Sequence, residues 1–453
     1  MAIPLGSSDA LIDLDVTDVA HGGVFVGRHE GRVVFVPDAL PGERARVRLT
    51  DVGKASFWRG EVLEVLDASP HRRRHVWRQA DVDVAPEQRP GGADFGHIEL
   101  SHQRALKQHV LTDALQRFGG ITMPVTVAPV GADGVDRSAA PTDDDGTGWR
   151  TRLSLHVDAE GRVGPYAARS HRVVTVEDHP LAAPDIERVA LELPSGEPGR
   201  IDLVLPADGR VRILPRPEHH HRAGGRRLRG GSAAKHPAAK NSNPMREVVT
   251  ERVGEREFRV DAGGFWQVHR FAANALTQLV TEHLGQAYPD GLDPEALHLD
   301  LYGGVGLFAA ALGDLGGPRS RVISVESDSR ATEHAGENLA EWAGARAETG
   351  RVDRWLAHWG KDASAKDLAR LAQGAVVLDP PRSGAGGEVV SAIAALAPQT
   401  IVYVACDPVA LARDLATFRE AGYTASRIDG LDLFPHSHHV EAVATLNRDQ
   451  PQR

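Results

Sequence analysis

Cys406 is the only cysteine among 453 residues, and it sits in the run Tyr403-Val404-Ala405-Cys406-Asp407-Pro408. The apolar stretch Thr400 to Ala405 reads as a buried strand. Pro408 then opens a helical pattern, because proline is favoured in a helix's first turn. The thiol therefore falls where a strand ends and a helix begins. Unpaired backbone amides and the positive end of the helix dipole favour a thiolate there, so a lowered pKa is expected. The competing reading is a free cysteine that merely fills core volume.

Three acids stand at the ends of three successive strand patterns. Asp300 lies in Leu299-Asp300-Leu301-Tyr302-Gly303-Gly304-Val305-Gly306, a strand running into a glycine-rich turn and a helix. Glu326 ends Val322-Ile323-Ser324-Val325-Glu326, and Asp379 opens Asp379-Pro380-Pro381-Arg382. The glycines lack the G-x-G-x-x-G spacing of a dinucleotide site. Ligands of open α/β sheets bind at the carboxyl edge of the strands, where a carboxylate can take both ribose hydroxyls. Three acids there imply a ligand with a ribose and a cation rather than a polyphosphate. S-adenosylmethionine, with its sulfonium and amino-acid tail, has that chemistry. The competing reading makes one or two of the acids helix caps.

The elements that must position these groups alternate from about residue 257. Strands are predicted at Ala296–Leu301, Arg321–Glu326, Gly374–Asp379 and Thr400–Ala405. Helices fit Phe271–Leu284, Gly306–Gly313, Ser329–Trp342, Gly386–Leu396 and Pro408–Glu420. This alternation predicts a mostly parallel sheet covered on both faces. Tyr423–Phe434 and Val440–Leu446 come next without a crossover helix, which predicts a closing antiparallel hairpin. Residues 9–67 differ, with five short strand patterns at Leu11–Thr17, Gly23–Val26, Arg32–Val36, Ala45–Leu49 and Gly60–Leu66. They suggest a small barrel of the oligonucleotide-binding type. Leu100 to Phe118 looks helical. The expected organisation is a barrel over 1–74, a central domain over 75–256 with a basic, flexible insert at about 216–244, and a catalytic domain over 257–453.

Composition bounds the class. A single cysteine excludes an intrachain disulfide framework and fits a reducing cytosol. No run approaches the ~18 apolar residues of a membrane span, and no signal peptide is read at the N-terminus. A cytoplasmic monomer with no membrane partner is expected. Net charge is −10, yet residues 210–259 hold 13 Lys/Arg against 5 Asp/Glu. Arg72-Arg73-Arg74 forms a second basic knot. Such runs read as solvated faces or disordered inserts, or else as contacts to nucleic acid. The triplet His219-His220-His221 is not assigned a metal, and no metal site is expected.

Together these residues spell a family. Asp300–Gly306, Glu326, Asp379-Pro380-Pro381-Arg382-Ser383-Gly384 and Tyr403–Leu415 resemble the S-adenosylmethionine-dependent RNA (uracil-5-)-methyltransferases. Phe265-Trp266-Gln267-Val268 resembles their cofactor-binding Phe-x-Gln-x segment, with His269 where Asn is usual. Phe434-Pro435-His436-Ser437-His438-His439-Val440-Glu441 resembles the C-terminal motif and puts Glu441 at the general-base position. Residues 9–74 resemble the TRAM RNA-binding domain, notably at Val34-Phe35-Val36-Pro37 and Leu40-Pro41-Gly42-Glu43.

The resemblance implies a Rossmann-like α/β methyltransferase domain with a C-terminal antiparallel hairpin. It also implies an OB-like N-terminal barrel and a central α+β domain. Cofactor contacts fall on Gln267, Tyr302, Glu326, Asp353 and Asp379, and substrate contacts on Asp379 and Arg382. The implied chemistry is addition of the Cys406 thiolate to C6 of uracil, methylation at C5, and removal of the C5 proton by Glu441. His439 reads as structural or as a residue that orients Glu441. The partner is RNA, with 23S ribosomal RNA placed first because TRAM-bearing relatives lean that way. Uridine-54 of transfer RNA is the alternative. A noncatalytic RNA-binding or chaperone protein is the rival of another class. A 5-methylcytosine enzyme would normally carry a second cysteine, which this chain lacks.

The chain departs from the pattern at three places. Many relatives hold an iron–sulfur cluster on four cysteines, one pair in Cys-Gly-Gly-Cys. The matching stretch here is Pro90-Gly91-Gly92-Ala93, so no cluster is expected. Gly303 stands where relatives often have Cys. Asp407 stands where Asn is usual, and an anion beside the nucleophile opposes a lowered thiol pKa.

Overall fold

The computed structural model describes residues 8–135, 145–218 and 243–449. His219-His220-His221, Arg226-Arg227-Leu228-Arg229 and most of the basic insert lie outside the described residues.

Strands β1 (Leu11–Ala20), β2 (Val24–His29), β3 (Arg32–Val36), β4 (Arg44–Asp51) and β5 (Phe57–Asp67) close a barrel in the order β1-β2-β3-β5-β4. Period-two alternation builds it. Ile12, Leu14 and Val16 of β1 are buried while Leu11, Asp13 and Asp15 face outward, as a strand with one wet face requires. Each of the five predicted strands overlaps an observed one. The β1–β2 turn, His21-Gly22-Gly23, has φ of 86° at Gly22 and 72° at Gly23, which favours glycine.

Two arginines pin the barrel in place. Arg89 is 2% exposed. It donates to Asp38 Oδ2 at 2.8 Å and to the carbonyls of Val62, Val82 and Val84. Arg72 forks onto buried Glu43 at 2.6 and 2.9 Å. The solvated-face reading of the 72–74 knot therefore fails for Arg72, whose guanidinium closes the barrel's Leu40–Glu43 turn. Trp77, Phe95 and Ile98 are buried and pack the cysteine-free segment. An iron–sulfur cluster does not fit here, because this stretch offers no thiolate.

Helix α1 (Leu100–Ala114) leads to β6 (Val127–Gly131) and β7 (Gly134–Val135). A four-stranded sheet of β8 (Arg152–Val157), β9 (Val163–Gly164), β10 (Gly199–Val204) and β11 (Arg212–Pro217) comes next, backed by α2 (Pro184–Leu191). The hairpin β12 (Val248–Val253) and β13 (Arg256–Asp261) precedes the alternating region.

That region runs α3 (Ala272–Ala287), β14 (Leu297–Leu301), α4 (Leu307–Gly316), β15 (Arg321–Glu326), α5 (Ser329–Asn338), β16 (Arg346–Thr349), α6 (Val352–Asp362), α7 (Ala365–Leu371), β17 (Ala375–Leu378), α8 (Gly387–Ala395), β18 (Thr400–Ala405), α9 (Pro408–Glu420), β19 (Tyr423–Asp432) and β20 (Glu441–Arg448). Its strands form one sheet in the order β16-β15-β14-β17-β18-β20-β19-β6-β7. Strands β14 to β18 pair in parallel, and β19 and β20 form the antiparallel hairpin. Apolar clusters cover both faces, as a doubly covered parallel sheet needs.

Several features were not legible. The sheet takes β6 as a parallel neighbour of β19, so it draws on residues from both sides of the 256/257 division. A buried ion pair, Lys107 Nζ to Asp432 Oδ1 at 2.5 Å, holds α1 against the same hairpin. Strand β16 and helices α6 and α7 also escaped notice. Arg346-Ala347-Glu348-Thr349 is a charged edge strand with no apolar run, and its register comes only from pairing with β15.

Candidate active site

Cys406 lies one residue beyond β18, and Glu441 begins β20. The antiparallel register pairs Ala405 with Ala442, which sets the thiol and the carboxylate at the same end of the sheet. They share a cleft of about 830 Å³ with Gln267, Tyr302, Glu326, Asp379 and Arg382. Seven of the eight site residues expected from the sequence thus line one cavity. Asp353 does not. It sits in the first turn of α6, paired with Arg351 at 2.8 Å, and its carboxyl is held down to about 2 mainly by that hydrogen bond.

The cleft fits an adenosine-bearing cation. Glu326 Oε2 accepts the Gly304 amide at 3.2 Å, tying the second strand's acid to the glycine turn. Gly303 has no room for a side chain, since a Cβ would lie 2.0 Å from Ser324 Oγ and 2.5 Å from Asp300 Oδ2. Gly304 takes φ 55° and has open space beside it. Tyr302 takes φ 62°, a backbone state that costs an L-residue about 1–2 kcal/mol. Asp300 departs from the expected trio. It is fully buried, accepts Ser324 Oγ and the Ala309 amide, and braces the turn from below. It thus engages the first turn of α4, and Glu326 Oε1 likewise accepts the Asp328 amide at the start of α5 at 2.8 Å.

The far wall draws on Asp261, Arg330 and His334, which the sequence did not flag. Asp261, at the end of β13, accepts Arg330 at 2.9 and 3.1 Å and His334 at 2.7 Å. This clamps the β12–β13 hairpin onto α5. His269 is buried, stacks on Trp149 and accepts the Phe271 amide at 3.1 Å. That is the local bond an Asn side chain would make two residues ahead, so the unusual His keeps the turn.

Electrostatics at the nucleophile overturn the expected lowered pKa. Cys406 is pushed up to about 12, by burial first and then by Glu441 and Asp379. The helix start does not offset these. Asp407 Oδ1 accepts the amides of Val409 and Ala410 at 3.0 and 2.9 Å, so the positive end of α9 is already capped. Asp379 is raised to about 7, by burial and then by Asp300. Glu441 is raised well above the usual range, by burial and then by Asp379. No hydrogen bond engages either carboxylate among the described residues. The one cation among the seven is Arg382, which opposes the shifts of both Cys406 and Glu441. His439 lies 2.7 Å from Arg382; among the described residues it makes no hydrogen bond to Glu441, which favours the structural reading over one of orienting that carboxylate.

A second, smaller cavity of about 210 Å³ meets the first at Cys406 and Arg382. Its other walls are the barrel turn at His21–Gly23, α1 at Lys107 and Val110, and His438 and His439. No feature of the barrel sequence marked that turn as part of a site some 385 residues away.

The barrel's surface charges divide. On β4, Arg46 and Arg48 are matched by Asp13, Glu64 and Glu61. Near β3 and β5, Lys54 and Arg59 lie over the Phe57 ring at 4.7 and 5.5 Å, and Arg32 over Trp58 at 4.7 Å. None of these three has an acidic partner among the described residues.

Comparison with known proteins matches this layout. Residues 11–63 match the TRAM domain, and residues 361–449 match the tRNA (Uracil-5-)-methyltransferase family. An uncharacterized RNA methyltransferase of Streptomyces avermitilis is 37% identical over 96% of this chain and 97% of its own. One from Bifidobacterium longum is 34% identical over 95% of each chain. The fold is shared with the Pyrococcus abyssi tRNA (uracil-54, C5)-methyltransferase, solved with S-adenosyl-L-homocysteine. The TM-score is 0.63 at 21% identity, over 96% of this chain and 99% of that one. With its barrel, its sheet and a thiol and carboxylate at one strand edge, this chain belongs to the S-adenosylmethionine-dependent RNA (uracil-5-)-methyltransferases that carry an N-terminal TRAM domain.

Proposed function

We propose that this protein, acting as a monomer, forms 5-methyluridine in RNA through a covalent enzyme–uracil intermediate. The observation that carries the reading is the Ala405–Ala442 register, which brings Cys406 and Glu441 to one cavity. Gln267, Tyr302 and Glu326 would hold S-adenosylmethionine, which supplies an electrophilic methyl group when bound. C5 of uracil is too weak a nucleophile to take that group unaided. The Cys406 thiol gives up its proton to solvent in the cleft as its sulfur adds to C6, forming a C–S bond and moving the electron pair toward C5 and the O4 carbonyl. Arg382 compensates the negative charge beside Cys406. Asp379, whose carboxyl burial raises to about 7, would hold a proton toward the carbonyl edge. After C5 is methylated, Glu441 takes the C5 proton, the C–S bond breaks and the thiolate leaves.

The target base must leave its stack to reach Cys406. The unpaired Lys54, Arg59 and Arg32 on aromatic rings give the barrel a platform for RNA backbone and bases. We place 23S ribosomal RNA first as substrate and uridine-54 of transfer RNA second. A noncatalytic RNA-binding role would leave the unpaired Glu441 and the Cys406 thiol without use. Mapping 5-methyluridine across total RNA from a strain lacking the protein tests this. Loss at one uridine, restored by wild type and not by Cys406→Ala, is expected. An unchanged map would overturn the proposal.

A further inference from the structure

The β1–β2 turn of the barrel touches the catalytic turn at two points. His21 Nε2 lies 2.9 Å from Asp407 Oδ2, the oxygen left over after Oδ1 has capped α9. Gly23 packs so closely that a Cβ there would come within 2.4 Å of His438 Cβ and 2.7 Å of Asp94 Oδ2. Asp94 in turn bonds His438 Nδ1 at 2.6 Å and accepts its amide at 3.2 Å. One contact thus grips the residue after the nucleophile, and the other grips the loop leading to Glu441. Between them lies the 210 Å³ cavity that opens on Cys406.

We propose that His21 is a positioning residue for methyl transfer, a latch carried by the barrel that fixes the nucleoside-side wall of the Cys406 pocket. The inference rests on the uracil-methylation reading above. Two physical reasons support it. Asp407 is an anion adjacent to a thiol that must itself become an anion, and an imidazole on its free oxygen limits that repulsion. The cavity is also small for a nucleoside, so the position of its barrel wall decides how the ring meets the sulfur. The groups facing His21 are Asp407, Arg382 and Arg413, with Asp94 and His438 behind the turn. Its hydrogen bond to Asp407 raises the His21 pKa, which burial and then the two arginines partly oppose. The latch is therefore a charged pair at low pH and weakens as pH rises through that raised value.

The test uses full-length protein and total RNA from a strain lacking it, with methyl transfer and RNA binding measured separately. His21→Ala should raise KM for RNA about ten-fold, the scale of a lost hydrogen bond to a charged group. S-adenosyl-L-homocysteine affinity should stay unchanged. His21→Gln, which keeps a donor, should recover most of the loss and abolish the fall in RNA affinity with rising pH. Gly23→Ala, which keeps His21 but forces the turn off His438, should reproduce the KM defect. Unchanged KM and pH dependence in His21→Ala would overturn the latch. So would a loss that His21→Gln fails to restore. Failure of wild type to methylate uridine would instead overturn the proposed reaction, while RNA binding would still report on the latch.

Discussion

The two cavities that meet at Cys406 are built in opposite ways. The larger is walled by acids at strand ends, and every one of its residues lies between Met245 and Glu441. The smaller is walled by histidines, Arg382, Lys107, Asp407 and apolar side chains drawn from three distant parts of the chain. The first joins one alternating strand–helix pattern to the β12–β13 hairpin just before it in the chain. The second exists only because the barrel is docked on the sheet. The difference implies that cofactor binding and RNA capture are separable, with Cys406 as their common boundary.

The strongest way to sharpen that comparison is at the boundary itself. Glu441→Gln should lower methyl-transfer turnover by about 10²–10⁴-fold, the usual worth of a general base, while leaving binding of both ligands within a few-fold. Steady-state kinetics alongside direct titration of each ligand would show this. A matching collapse in affinity would mean that Glu441 holds a ligand rather than a proton.

On the cofactor side, Glu326→Ala should weaken S-adenosyl-L-homocysteine about 10–100-fold, as expected for charge-assisted hydrogen bonds. RNA affinity should not move. Calorimetry with and without RNA distinguishes the two, and an RNA defect alone would break the assignment of the cleft.

On the barrel side, Lys54→Ala with Arg59→Ala should weaken RNA binding several-fold and reduce the slope of log affinity against log salt by about 1–2. Arg46→Ala, on the self-neutralised β4 face, should leave the slope unchanged. Equal effects from both faces would erase the distinction drawn between them.

The smallest effect concerns stability. The Asp379 carboxyl is raised to about 7, against about 4 in an unfolded chain. The folded state therefore binds more protons between those values, and the stability linked to Asp379 is lost as pH rises through about 7. Asp379→Asn should melt a few degrees higher than wild type at pH 8 and alike near pH 4. A lower melting temperature at pH 8 would contradict the unpaired placement of this acid.

The sequence was informative where chemistry is local. Strand ends at Glu326, Asp379 and Cys406, and the hairpin holding Glu441, could be read from alternating apolar runs and turn residues. What escaped was non-local. The pairing of β6 with β19, the Arg89–Asp38 strut and the His21–Asp407 contact join residues that no periodicity relates. The lowered thiol pKa was misjudged for the same kind of reason. A strand-to-helix junction does favour a thiolate, but Asp407 consumes the amides and burial among Glu441 and Asp379 outweighs what remains. Asp353 illustrates the converse, a residue implied by family likeness that Arg351 engages outside the cleft.

The central claim is that Cys406 bonds to the base and Glu441 ends that bond. Its most direct test is RNA–protein adduct formation on denaturing gels, using substrate RNA with S-adenosylmethionine, and RNA carrying 5-fluorouridine as a trap. Wild type should be trapped by 5-fluorouridine RNA, because C–F offers no proton to remove. Glu441→Gln should accumulate an adduct on normal RNA, methylated at C5 and stalled before elimination, and Cys406→Ala should form none on either. An adduct in Cys406→Ala, or full turnover by Glu441→Gln, would contradict the account.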